Sequence, residues 1–131
     1  MLGTMRLFTM PSRPIERFDS SGVVVDLLPG LLGESQITVA HVAAGGTIGA
    51  HPTAHRQLLA VVSGVGQVRG EDGTVQGIGP GSLVLWDTGE SHQTWATTDL
   101  VAVVVEAVGV IDLARRFPEG LDDHANVVHQ A

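Results

Sequence analysis

From residue 23 to residue 108, apolar and polar positions alternate with a period of two in short stretches separated by glycine-rich breaks. Eight stretches read as strands: Val23–Leu28, Ser35–Ala43, Arg56–Val62, Gly66–Gly70, Thr74–Ile78, Ser82–Trp86, His92–Ala96 and Leu100–Val108. Each carries β-branched residues or strict alternation, the mark of a strand with one face buried. Glu71-Asp72-Gly73 reads as a hairpin turn, and Gly79-Pro80-Gly81 and Asp87-Thr88-Gly89 as tight turns. The pattern changes only near the C-terminus. In VIDLARRF (110–117) apolar residues stand at 110, 111, 113, 114 and 117, which predicts a short helix of about two turns. Pro118-Glu119-Gly120 should stop it, leaving residues 121–131 loose or packed on a neighbour. Met1–Arg17 has too little periodicity for a core of its own, so residues 1–22 read as an N-terminal arm.

The chain has 131 residues and is 44% hydrophobic, enough for one domain (1–131) with a substantial core, centred on residues 35–108. A net charge of −7 with scattered arginines argues against nucleic acid or an anionic membrane as partner. The chain lacks cysteine, lysine and tyrosine, which removes thiolate, Schiff-base and phenolic chemistry. The longest apolar run, Leu100–Val105, is too short to span a bilayer, and the N-terminus carries no secretory signal pattern. A cytoplasmic protein is the expectation.

The candidate chemistry therefore falls to histidine and its polar neighbours. On a regular strand His51, Thr53, His55 and Gln57 would share one face, and Glu90, His92 and Thr94 another. Rolled into a barrel, the two stretches would aim imidazoles at one interior, where they could ligate a divalent metal or hydrogen-bond a small molecule. The residues leave both roles open. Arg56 should point away from His55 and Gln57, and Glu90 should be solvated at a turn. Glu106, among valines, is placed on the solvent face. His41 could face the cavity or a subunit contact, and His124 and His129 should titrate freely in the tail. Trp86 and Trp95 are read as structural, in the core or a dimer contact.

The spacing across the middle of the chain resembles the cupin family. Gly45, His51, Thr53, Gln57 and Gly64 fall on the family's first motif of a glycine, five residues, His-x-His, three or four residues, Glu, six residues and Gly. Gly81, Asp87, Gly89, His92 and Ala96 fall on the second, of a glycine, five residues, Pro-x-Gly, two residues, His, three residues and Asn. The resemblance, over about Val39–Glu106, implies an all-β double-stranded β-helix, or jelly-roll barrel, here followed by the short C-terminal helix. It also implies a metal site, yet only His51 and His92 survive of the four usual ligands. Thr53 replaces a histidine and Gln57 the glutamate, a neutral amide that leaves a cation's charge less compensated. His55 could compensate if the strand stayed regular past Pro52, giving a set of His51, His55, Gln57 and His92 for Zn, Fe, Ni or Mn.

Two functions follow. One is a metal-dependent cupin enzyme, a dioxygenase, isomerase or similar, whose neutral ligand shell would favour an anionic or chelating ligand. The other is a metal-free binding or sensing module holding a small polar molecule through His51, Thr53, Gln57 and His92. Catalytic residues are not assignable from sequence, and a homodimer is the expected assembly.

Overall fold

The computed structural model describes residues 5–114 and 117. Among them it contains strands only: β1 (Arg6–Thr9), β2 (Ser12–Ile15), β3 (Val23–Asp26), β4 (Gly30–Leu32), β5 (Ser35–Val42), β6 (Thr47–Pro52), β7 (Arg56–Ser63), β8 (Gly66–Arg69), β9 (Val75–Ile78), β10 (Ser82–Trp86), β11 (Ser91–Ala96), β12 (Leu100–Ala107) and β13 (Val110–Asp112). Two antiparallel sheets, in the orders β1-β10-β7-β12-β5 and β6-β11-β8-β9, pack as the expected jelly roll, and the ribbons β4–β13 and β2–β3 flank them.

Alternation divides the core into two layers. Leu59, Val61, Val84, Trp86, Leu100 and Ala102 of the five-stranded sheet point inward to meet Val68, Ile78 and Ala96 of the four-stranded sheet. The intervening residues Leu58, Ala60, Leu83, Leu85, Val105 and Ala107 point outward and are covered by Phe8, Ile111 and Phe117, with Leu28 and Leu31 beside them. Both faces of β10 are thus covered, so all five of its residues are buried and its sequence, SLVLW, is a continuous apolar run after its serine.

The three predicted turns form. Gly73, Gly81 and Gly89 each adopt positive φ, and Ser82 N and Glu90 N close their turns on the carbonyls of Gly79 and Asp87. Gly64 is the most constrained glycine, with φ +87° and its Cα against the Asp99 carbonyl, where a methyl would overlap backbone.

The predicted helix over 110–117 is not formed. Val110–Asp112 pairs with Leu32–Gly30 as strand β13. β-Branched Val110 and Ile111 suit a strand, and Ile111 and Phe117 reach the outer core from this ribbon, Phe117 packing edge-on to Phe8 at 5.3 Å. A single bond from Phe117 N to Leu113 O follows the strand. The arm expected over residues 1–22 also differs: β1 pairs with β10, and Met5, Leu7, Phe8 and Met10 are buried in the domain's own core. His124 and His129 lie outside the described residues.

Candidate functional site

The stretch 51–57 is not one strand. β6 ends at Pro52, Thr53–His55 turn, and β7 starts at Arg56. Thr53 is buried at the turn: its N–H donates to Glu90 O (3.1 Å), its carbonyl accepts from Gly89 N (2.7 Å), and its hydroxyl donates to the His55 carbonyl. It therefore clamps the 53–55 turn to the 87–90 turn. The chain reversal moves His55 away from the His51 strand onto the surface, so the shared face expected for residues 51–57 is lost.

His51 and Gln57 nevertheless converge, from different strands. Residues opposite one another in adjacent strands share a face, and the five-stranded sheet carries a transverse row in which Gln36 opposes Glu106, Glu106 opposes Gln57, and Gln57 opposes Trp86. Trp86 belongs to the inner core, so the whole row faces inward. From the facing sheet His92 stacks on the Trp86 ring, with centroids 4.3 Å apart at 27°, and His51 opposes His92 in register with ring centroids 4.5 Å apart. One belt thus contains Gln36, Glu106, Gln57, Trp86, His92 and His51. A bulge helps to build it. Between His92↔His51 and Thr94↔Ile48, β11 advances two residues while β6 advances three, so Ile48 and His51 both fall on the His92 side of the sheet, with His51 exposed at the rim of the belt and His92 buried.

Glu106 is a correction: it lies on the inward face of β12, in register with two glutamines, and not on the solvent face. Its parity with Leu100 and Ala102 carried that information once Leu100 was known to point inward. Glu90 is another correction. It is 1% exposed, its Oε1 accepts from Asp87 N at 3.0 Å, and its Oε2 has no hydrogen-bond partner among the described residues. Desolvation raises its pKa from the usual carboxylate value, against backbone amides that lower it. Arg56 does point away from Gln57 and pairs with Asp87 at 3.4 Å. His41 opposes Val101 on the outward face of edge strand β5. Trp95 lies on the outward face of the four-stranded sheet, beneath the Arg69 guanidinium.

The two belt imidazoles have defined polarity. Nδ1 of His51 lies 2.8 Å from Gly49 O, and Nδ1 of His92 lies 3.2 Å from Glu90 O. A carbonyl only accepts, so each Nδ1 carries the proton and, in the neutral ring, Nε2 presents a lone pair. Burial lowers the His92 pKa and the His51 ring adds to this, while the Glu90 carbonyl and the Glu106 carboxylate oppose it. His92 is therefore neutral at pH 7, and its Nε2 is buried without a partner among the described residues.

Two imidazoles oriented through Nδ1 are half of a metal site's chemistry. The rest of the set is not assembled. Among the described residues, no three His, Cys, Asp or Glu side chains lie close enough to hold an ion, Thr53 has spent its hydroxyl on backbone, and His55 is exposed at a surface hollow. The residues do not fit a resident metal of full coordination. That hollow, of about 220 Å³, is lined by Glu34, Ser35, Gln36, His55, Glu106 and Val108, and so opens beside two members of the belt.

A two-sheet jelly roll with an inward histidine pair defines the class, and the comparisons give the family. A cupin domain family model matches residues 38–108, more than half of the chain, and the protein belongs to the cupin family. Among curated proteins, none matches the chain. A double-stranded β-helix domain protein from Klebsiella pneumoniae is similar at 23% identity, with 70% of this chain and 83% of that one covered and a TM-score of 0.54. An RmlC-like cupin from Shewanella frigidimarina is 18% identical over 56% of this chain and 66% of its own, with a TM-score of 0.54. A salicylate 1,2-dioxygenase from Pseudaminobacter salicylatoxidans matches at 12% identity, 56% of this chain and a TM-score of 0.53. The match spans just under two thirds of the Shewanella protein and only 21% of the dioxygenase. At these identities the likeness is one of fold.

Proposed function

We propose that this cupin binds a small polar molecule in the inward belt, by direct hydrogen bonds to His51, His92 and Gln57 beside the Trp86 ring. The observation that carries this reading is the buried, unpartnered Nε2 of His92. An acceptor left unpaired inside a protein costs about 1–3 kcal/mol, an expense that a ligand's donor would offset. Thr53 supports the site through the turn it clamps, and His55 belongs to the outer hollow. A thermal-shift screen of small polar compounds, run with chelator, tests the reading on wild type, His51→Ala and His92→Ala. Compounds that stabilise wild type should lose their effect in both variants, whereas hits indifferent to both substitutions would refute the site.

A second reading, a divalent ion (Zn, Fe, Ni or Mn) held incompletely by His51 and His92 with Gln57, is favoured by the two free Nε2 atoms. Such an ion would supply Lewis-acid chemistry, and with it a dioxygenase or isomerase activity and a taste for anionic ligands. Stoichiometric metal in wild type, lost in both histidine variants, would favour this second reading over direct binding. The protein works in our reading as a cytoplasmic homodimer; no helix among the described residues is long and apolar enough to cross a membrane. Ile37 and Val39, 58% and 57% exposed on the outward face of β5, are apolar surface of the kind a subunit contact covers. Sedimentation velocity of wild type against Val39→Glu tests the assembly.

A further inference from the structure

The chemistry of the belt restricts the charge of what it can hold. Its fixed acceptors are the two Nε2 lone pairs, the amide oxygens of Gln36 and Gln57, and the Glu106 carboxylate. Its donors are the two glutamine amides and the indole N–H of Trp86, which is buried without a partner among the described residues.

The arginines among the described residues lie off the inward face, although Arg69 lines an outer hollow with His92. The chain has no lysine. Arg6 opposes Leu85 and Arg56 opposes Ala107, both outer-layer residues, so these two arginines lie on the outward face of the five-stranded sheet. Arg69 opposes Gln93, one residue out of phase with the inward pair Val68 and Thr94, and donates to the Gln93 side chain outside the four-stranded sheet. Arg13 and Arg17 belong to the β2–β3 ribbon and its turn. Among the described residues, no arginine occupies an inward strand position. Among the described residues, Glu106 therefore stands as an inward carboxylate with no arginine on its face of the sheet, next to a hollow that also carries Glu34 and His55.

We propose that the belt selects small hydroxylated amines, whose ammonium group pairs with Glu106 while the hydroxyl donates to the Nε2 of His92 or His51, and that it excludes carboxylates. This rests on the binding function proposed above and names its ligand class. An ammonium brings donors to a site rich in acceptors and neutralises a carboxylate in partly desolvated surroundings. A carboxylate would bring acceptors to acceptors and a like charge to Glu106. The ligand preference is opposite to the one a resident metal would impose.

Three compounds of similar shape separate the possibilities: 1-aminopropan-2-ol, propane-1,2-diol and lactate. Each is titrated into chelator-treated protein, with chemical-shift changes followed at the His92 and His51 rings and the Trp86 indole. The amine should bind at least about tenfold more tightly than lactate, a factor equivalent to a small part of one close charge pair, with the diol between them. In Glu106→Gln, a near-isosteric change at a half-buried position, the amine should fall to the level of the diol. Lactate binding as tightly as the amine, with shifts at the same rings, would overturn the charge selection and leave the pocket standing. An unchanged amine preference in Glu106→Gln, with the variant's melting curve intact, would overturn the role of Glu106. No shift at these rings with any of the three would defeat the pocket itself.

Discussion

If His92 is kept for recognition, removing its polarity should not weaken the fold. In His92→Leu the structure predicts opposing contributions. The unpartnered Nε2 disappears, a gain of about 1–3 kcal/mol. The 3.2 Å bond from Nδ1 to Glu90 O is lost, at about 0.5–1.5 kcal/mol, but that carbonyl retains the Thr53 amide as its donor and is not left bare. The stacking on Trp86, worth about 0.5–1.5 kcal/mol, is partly replaced by leucine contacts with the same ring. At their midpoints the contributions sum to about 0.5 kcal/mol in favour of the variant, within a span from a loss of about 2 to a gain of about 2.5 kcal/mol, so the expected rise in Tm is about 2 °C for a chain of this size. Urea denaturation of ligand-free protein at pH 7.5 measures it, with Leu59→Ala, expected to lose about 2–5 kcal/mol, as the ordinary core comparison. The difference should widen on acidification. Burial lowers the native pKa of His92 below 6.5, so the unfolded chain takes up the proton first, and wild-type stability drops by up to about 1.4 kcal/mol per pH unit from pH 6.5 down to the native pKa. The variant lacks that slope. A loss of more than about 2 kcal/mol at pH 7.5 would show that the imidazole is a structural member of the core, and the recognition argument would fail with it.

Three further outcomes follow from the packing. Gly64→Ala should cost more than about 3 kcal/mol, combining positive φ with overlap on the Asp99 carbonyl, while Gly49→Ala, with open space at its Cβ, should change stability by less than about 0.5 kcal/mol; equal melting curves for the two would contradict the geometry. Glu90 has the opposite pH signature to His92. Burial raises its native pKa, so stability should fall as pH rises from 4.5 through that native pKa, and in a His92→Leu background Glu90→Gln should flatten this limb; an unaltered pH profile would show the carboxyl is not the group responsible. Phe117→Ala should cost about 3–5 kcal/mol if the chain beyond β13 seals the outer core as described, and a loss below about 1 kcal/mol in equilibrium unfolding would deny that role.

The eight strands read from the sequence are those whose alternation is strong or whose ends are marked by turn residues, and all eight appear within a residue or two of their expected limits. Five strands, β1, β2, β4, β6 and β13, were not expected, and three of them show why. β6 contains two glycine-spaced apolar residues, a bulge and a terminal proline, TIGAHP, so no period of two survives in its sequence although it carries His51. β13 is only three residues long, and a helical spacing fits any five apolar residues in eight when the partner ribbon β4 is unseen. β1, RLFT, is four residues with its two apolar positions adjacent, so it shows no period of two.

The site was legible as two histidines and illegible as a surface, because motif spacing records which residues descend from ligands while strand pairing records which residues meet. His51 and His92 do meet, as both spacing and parity required. Thr53 and His55 fall in a turn that parity along one imagined strand could not foresee. Glu106 is the instructive case. Its parity is ambiguous while both sheet faces are apolar, since the outer layer of this domain is buried nearly as thoroughly as the inner one. Only the register Gln36, Glu106, Gln57, Trp86 resolves it, and three of those four residues belong to no histidine motif. A belt assembled across six strands leaves no local trace in any one of them. Its charge is accordingly set by a residue that motif comparison does not weigh, and the amine proposed above and the anion expected from the motifs part at Glu106.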